Sequence, residues 1–200
     1  MNSVQRIKVF DELGKSQGGV FTTSDLKTFF GIDGASSLVA ALRPYLDGGK
    51  VVRAKRGLYL APQADPLEAV RRICPDAVLS FGNVLASHLL VGTVPARQFR
   101  FTGSCRDQLL AGPDWTIIVH HQIEHLRFGW SVDERGICVA DPEKAVLDCL
   151  VYHQMGVKFS FDLETGIDRT GISREKFLEY VERYPNPRFR ARCKRWIDAV

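Results

Sequence analysis

Glycines divide the first sixty residues into short segments, and the spacing of apolar residues in each segment predicts its structure. Apolar residues recur every third position across residues 3–17, which predicts a helix that ends at Gly18-Gly19. A second helix is predicted over residues 25–30, after side-chain oxygens that can cap its first amides. A third is predicted over residues 35–46, where Pro44 removes one hydrogen bond and is expected to bend the last turn.

A basic hairpin follows these helices. The pattern of residues 50–60 predicts two short strands joined by a tight turn at Gly57. Three short helices and a basic hairpin are the order of a winged helix-turn-helix, whose third helix enters the DNA major groove while the hairpin reaches the adjacent backbone. The residues expected to bind DNA are therefore Ser36, Ser37 and Arg43 on the third helix, and Arg53, Lys55 and Arg56 in the hairpin.

A proline-containing stretch at residues 61–66 predicts the boundary between two domains. The expected fold class is α+β, with a winged helix-turn-helix domain over residues 1–62 and a mixed α/β domain over residues 66–200. In the second domain the pattern predicts helices over residues 67–73 and 77–90 and several strands between residues 98 and 130. A further helix is expected after an acidic cap at Asp141, followed by two helices in the tail.

Charge is distributed unevenly along the chain, although the net charge is only +4. Residues 1–65 carry +3, residues 66–170 carry −3, and residues 171–200 carry +4. Basic ends favour a polyanionic partner. The carboxyl-terminal run of cations is a second candidate contact surface, for nucleic acid or an acidic protein. The alternative is a solvated helix face without a partner. The cations of this run are Arg183, Arg188, Arg190, Arg192, Lys194 and Arg195.

Composition excludes several classes of protein. Hydrophobic residues make up 45% and charged residues 25%, as in an ordinary globular chain. The five cysteines are scattered and never form Cys-x-x-Cys, which is typical of reduced thiols in a cytoplasm. No apolar run is long enough to cross a bilayer, and no signal-peptide core follows Met1, so we expect a cytoplasmic protein without a membrane partner.

The chain offers no complete set of catalytic residues. His121, Glu124 and His125 fit the H-x-x-E-H pattern of inverted zinc peptidases, but a β-branched run precedes them. On a strand the two histidines would lie about 13 Å apart, too far to share an ion. Cys149 and His153 are one helical turn apart, the spacing of a thiolate–imidazole pair. This spacing more often indicates a buried cysteine beside a histidine at the edge of the core. We therefore predict no catalytic residue, metal or cofactor.

Four segments resemble a known family. Residues 20–26 and 52–59 are similar to the winged-helix domain of AbiEi-type antitoxins, from the type IV abortive-infection toxin–antitoxin systems of bacteria. Residues 79–90 and 141–148 are similar to the carboxyl-terminal region of that family. The resemblance implies a nucleoid-associated transcriptional autorepressor that binds operator repeats in its own promoter and counteracts a nucleotidyltransferase-like toxin. It identifies no residue for antitoxicity, and it leaves open whether toxin and antitoxin touch.

Two alternatives from other classes remain open. The chain could be a nuclease tethered to DNA by the winged helix, which would require a carboxylate cluster in the second domain. It could also be a protein-interaction module without DNA binding, whose hairpin and basic tail hold an acidic partner.

Overall fold

The computed structural model describes residues 10–12 and 14–199. The chain is of the α+β class, with 43% helix and 18% strand. It divides into two compact units: one contains the chain up to Pro75 together with Leu109–Ile117, and the other contains Asp76–Gln108 and Ile118–Val200. This division differs from the hinge predicted at residues 61–66, because the helix after the hinge clusters with the first unit.

The first unit combines short helices with a three-stranded sheet. Residues 10–12 and 14–16 are helical (α1), while the rest of the helix predicted over residues 3–17 lies outside the described residues. The other elements are β1 (Val20–Thr22), α2 (Thr23–Phe30), α3 (Ala35–Asp47), β2 (Val52–Lys55), β3 (Leu58–Leu60) and α4 (Pro66–Ile73). The sheet order is β1-β3-β2, and both pairings are antiparallel.

Local chemistry sets the ends of α2 and α3. The Thr22 hydroxyl accepts from the Asp25 amide, and the Asp25 carboxylate accepts from the Thr22 amide, which forms a capping box. Helix α2 ends at Gly31, whose φ of 64° is left-handed, a region that glycine enters without strain. Helix α3 continues past Pro44, because that residue is exposed and water can reach the carbonyl that loses its partner.

An aromatic cluster forms the core of the first unit. Phe10 contacts Phe21 and Tyr45, with ring centroids 5.0 and 4.5 Å apart, and α3 adds Leu38 and Leu42. The separate segment 109–117 contributes a buried tryptophan: the Trp115 indole donates to the Ala64 carbonyl over 2.8 Å.

The second unit contains strands β5, β4, β9 and β8 of the larger sheet, whose full strand order is β6-β7-β5-β4-β9-β8. Strands β4 and β9 run parallel, whereas β4 is antiparallel to β5 and β8 is antiparallel to β9. The strands are β4 (Val78–Leu79), β5 (Gln98–Gly103), β6 (Gln108–Ala111), β7 (Thr116–His121), β8 (Trp130–Val132) and β9 (Cys138–Ala140). The helices are α5 (Phe81–Ser87), α6 (Pro142–Gln154), α7 (Arg174–Glu182) and α8 (Pro187–Asp198), with 3₁₀ turns at Glu124–Leu126 and Arg169–Gly171.

Helix α6 is the centre of the second unit. It packs on α5, α7 and α8, and Ala145, Val146 and Leu147 are fully buried. The helix predicted over residues 77–90 is wrong at both ends: Val78 and Leu79 pair with strands on both sides, and α5 stops at Ser87. Among the described helices, none is long and apolar enough to span a bilayer.

Candidate nucleic-acid interface

Helix α3 has one buried face and one exposed face. Leu38, Leu42 and Tyr45 are buried in the core of the first unit. Ser36, Ser37 and Arg43, the three residues predicted on this helix, are all exposed. They therefore lie on surface that a large ligand can approach.

The amino terminus of α3 is open to an acceptor. Gly34 occupies the cap position without a capping side chain, and the first turn contains no acidic residue. The hydroxyls of Ser36 and Ser37 belong to this turn, where amides and the helix dipole favour an anion. Asp33, which is exposed just before the cap, reduces that positive potential.

Arg43 is held only loosely. Its Nε lies 3.7 Å from the Asp47 carboxylate, and the two side chains are 81% and 72% exposed. Exposed pairs of this kind contribute about 0–1 kcal/mol, so Arg43 can exchange its partner at little cost.

The β2–β3 hairpin presents the other three predicted residues. Arg53 and Arg56 are exposed and Lys55 is half-buried. Gly57 closes the turn at φ 83°, and its carbonyl accepts from the Thr23 amide over 3.0 Å. The turn is thus tied to the first residue of α2. Pairing shifts by one residue between Arg53 and Lys55, which indicates a bulge before the turn.

One exposed residue of α3 was missed. Val39 is 61% exposed on the helix that carries the predicted serines. It lies in the apolar run of residues 38–42, where composition does not distinguish buried from exposed positions. The spacing of Leu38, Leu42 and Tyr45 defines the buried stripe, and Val39 falls outside it.

Most cations of the carboxyl-terminal run have acidic partners. Four of the six form ion pairs: Arg183 with Glu179, Arg190 and Lys194 with Glu182, and Arg192 with Glu164. These acids lie outside residues 183–197, so the uninterrupted basic run gave no sign of them. Within the described part of the chain, Arg188 and Arg195 are exposed and have no ion pair. Acidic neighbours therefore neutralise much of the positive charge that the sequence of this run suggests.

The acidic segment that resembles the family contributes to the core. Lys144 and Asp148 form an ion pair inside the second unit, with side chains 2% and 1% exposed. The Asp148 carboxylate also accepts from Ser80 Oγ over 2.7 Å and from Gln122 Nε2 over 2.8 Å. Burial lowers the pKa of Lys144, while Asp148 acts in the opposite direction. Every oxygen of this carboxylate is occupied, so the arrangement is that of a structural network.

Asp141 does not cap α6 as predicted. It occupies the cap position, but its side chain makes no capping hydrogen bond. Its carboxylate instead accepts from the Tyr180 hydroxyl over 2.7 Å and pairs with Lys176 at 3.0 Å. The residue therefore ties α6 to α7, a role that depends on contacts distant in sequence.

The histidine and cysteine candidates do not converge. His121 ends β7, and its Nδ1 lies 3.2 Å from the Ser104 carbonyl, while His125 lies in the following 3₁₀ turn. Cys149 is fully buried, and burial raises the pKa of its thiol well above the ordinary value. Within residues 10–12 and 14–199, no group of three or more histidine, cysteine or acidic side chains could hold a metal ion.

Comparison with protein-family models and with curated protein sequences identifies no relative of the chain. No protein-family model matches the chain, and no curated protein sequence matches it significantly. The likeness of residues 20–26, 52–59, 79–90 and 141–148 to AbiEi-type antitoxins therefore stays a prediction.

Proposed function

We propose that the first unit binds double-stranded DNA as a winged helix-turn-helix, with α3 in the major groove and the β2–β3 hairpin as the wing. The observation that carries the proposal is the exposure of Arg43 on α3 and of Arg53 and Arg56 in the hairpin, all within one compact unit. A buried hairpin would have argued against it.

The order of elements supports this function. Helices α2 and α3 are separated by four residues, 31–34, two of which are glycines. Such short glycine-containing turns are typical of helix-turn-helix motifs. The order α1-β1-α2-α3-β2-β3, with β3 central in the sheet, places the hairpin directly after the helix that would enter the groove.

Affinity and sequence preference have separate sources in this arrangement. Arg53, Lys55 and Arg56 neutralise phosphates, which supplies affinity for any duplex. Base edges are contacted from α3, where Arg43 suits guanine and the Val39 methyls suit the thymine methyl. The hydroxyls of Ser36 and Ser37, at the start of α3, can form hydrogen bonds with either phosphates or bases.

We propose further that the chain is a transcriptional autorepressor and an antitoxin, which acts at repeats in its own promoter and counteracts a nucleotidyltransferase-like toxin. The support is the family resemblance together with the exposed candidate interface. Co-expression with a nucleotidyltransferase-like protein encoded beside its gene tests the antitoxin part: the chain is expected to restore growth. If growth stays arrested with both proteins present at normal levels, the antitoxin assignment is wrong.

Salt-dependent binding tests the DNA interface. The full chain is titrated into a fluorescent duplex of its promoter at several salt concentrations, and an R53Q/R56Q variant is compared with R135Q, which removes an arginine from the β8–β9 turn. Each lost phosphate contact makes the negative slope of log K against log salt shallower by about 0.9 unit. The wing variant should lose close to two such contacts, and R135Q none.

Three results would contradict the proposal. An unchanged affinity and slope in R53Q/R56Q would exclude the wing. No affinity for duplex at low salt, together with tight binding to an acidic protein, would favour the interaction module. Cleavage of DNA or RNA by the pure chain with Mg²⁺ would favour the nuclease.

A further inference from the structure

Arg100, on β5 of the second unit, has no acidic partner among the described residues. Its Nη1 lies 3.3 Å from His120 Nε2, and its Nη2 donates to the Lys158 carbonyl over 3.4 Å. The guanidinium lies 5.4 Å from the centre of the Phe159 ring. It is half-buried, and burial lowers its pKa. A guanidinium that is partly removed from water gains from a charged partner, and both described contacts are neutral and long, at 3.3 and 3.4 Å.

This guanidinium lines a small cavity of about 30 Å³ that is open to solvent on one side. The walls come from Gly82 and Asn83, from the loop before β5, and from Phe159 to Phe161. None of the nine lining residues is acidic. The nearest acid in sequence, Asp162, already accepts from the amides of Glu164 and Thr165. The cavity is therefore positive and has no carboxylate of its own.

The backbone around the cavity is held in an unusual conformation. Phe81 has φ 59°, in the left-handed region that bulky residues rarely adopt, and it turns the chain from β4 into α5. The turn brings Asn83 against β5, where its side chain donates to the Gln98 carbonyl and accepts from the Arg100 amide, both over 2.8 Å. A Cβ on Gly82 would lie 2.8 Å from the Phe161 ring, so a side chain at this position would displace that wall of the cavity. Arg100 is thus positioned by its own backbone.

We propose that this cavity binds a small oxyanion, a phosphate or a carboxylate, through the Arg100 guanidinium. A guanidinium has five N–H donors, and the two described contacts use two of them. The remaining donors form a planar fork that matches two oxygens of an oxyanion. Phe159 covers one face of the fork.

His120 provides an internal reporter of binding. Because a guanidinium can only donate, His120 Nε2 accepts from Arg100, and the ring is neutral. Burial and Arg100 lower the pKa of His120, while Asp107 and Asp148 act in the opposite direction. An oxyanion that neutralises Arg100 is expected to raise the pKa of His120, which proton NMR can follow.

Calorimetric titration of the full chain tests the proposal, with inorganic phosphate, ATP and malonate as separate probes at low ionic strength. At least one probe should saturate the protein, and R100Q should weaken its binding about tenfold or more, since charge-assisted hydrogen bonds are lost. Tighter binding of ATP than of phosphate identifies a nucleotide as the source of the phosphate. Preferential binding of malonate identifies a carboxylate.

R174Q is the matched control. Arg174 is an exposed arginine of the same unit that pairs with Asp198 on the surface and does not line the cavity, so the same charge is removed elsewhere. R100K keeps the charge but loses the fork, and it should bind more weakly than the wild type even if R100Q fails to fold. The proposal is overturned if no probe saturates at about 10 mM, if R174Q weakens binding as much as R100Q, or if R100K binds as tightly as the wild type.

Discussion

Removing the charge of Asp148 is expected to destabilise the second unit severely. The D148N substitution keeps the shape of the side chain but leaves the Lys144 ammonium, 2% exposed, without a counter-charge. Removing one partner of a buried ion pair costs about 3–5 kcal/mol. Ser80, Gln122 and Lys144 all donate to this carboxylate, and both of its oxygens accept. Asparagine replaces one of these oxygens with an NH₂ donor, which then faces another donor and loses a hydrogen bond. The expected loss is a large share of the roughly 5–15 kcal/mol that stabilises a typical domain.

Urea denaturation followed by tryptophan fluorescence measures this loss, since Trp196 is buried in the same unit. D198N is the control, because Asp198 pairs with Arg174 on the surface, where the two side chains are 51% and 63% exposed. Its expected cost is about 0–1 kcal/mol. The K144M/D148N double variant should be more stable than D148N alone, since no buried charge remains. The reasoning is refuted if D148N loses less than about 1 kcal/mol, or if the double variant is the least stable of the three.

Two further substitutions test the cap of α2 and the buried histidine. T22A removes the hydroxyl that accepts from the Asp25 amide, and it should lower the free energy of unfolding in urea by about 1 kcal/mol. T28A, the control at an exposed position of α2, should lower it much less. Equal losses in the two variants would exclude the capping box. Because burial and Arg100 hold the pKa of His120 below its ordinary value of 6.5, the unfolded chain takes up this proton first as pH falls. The free energy of unfolding should therefore decrease below pH 6.5, and H120Q should flatten that decrease; an unchanged pH profile in H120Q would show that another group is responsible.

Local signals made α2, α3 and the β2–β3 hairpin of the first unit predictable. Thr22 and Asp25 indicate the start of α2, and Gly31 indicates its end. These ends can be predicted because capping and left-handed turns depend only on residues within one helical turn. Gly57 marks the hairpin for the same reason. The exposure of Ser36 and Arg43 follows from helical periodicity, which assigns the opposite face to the core.

Contacts distant in sequence explain what the patterns missed. Lys144 and Asp148 have the four-residue spacing of a solvent-exposed ion pair, and only the packing of three helices around α6 buries them. The short strand β4 was included in a helix, because its pairing partners lie more than twenty residues further along the chain. Arg100 appears in the sequence as an ordinary strand residue, since the absence of an acidic neighbour is visible only in three dimensions.

The return of residues 109–117 to the first unit affects how the chain can be dissected. A fragment that stops at Pro75, or at the predicted hinge, would lack Trp115 and leave the Ala64 carbonyl without its indole partner. Weak duplex binding by such a fragment would report partial unfolding rather than a missing DNA contact from the second unit. Point substitutions in the intact chain are therefore the sounder way to assign roles to the two units.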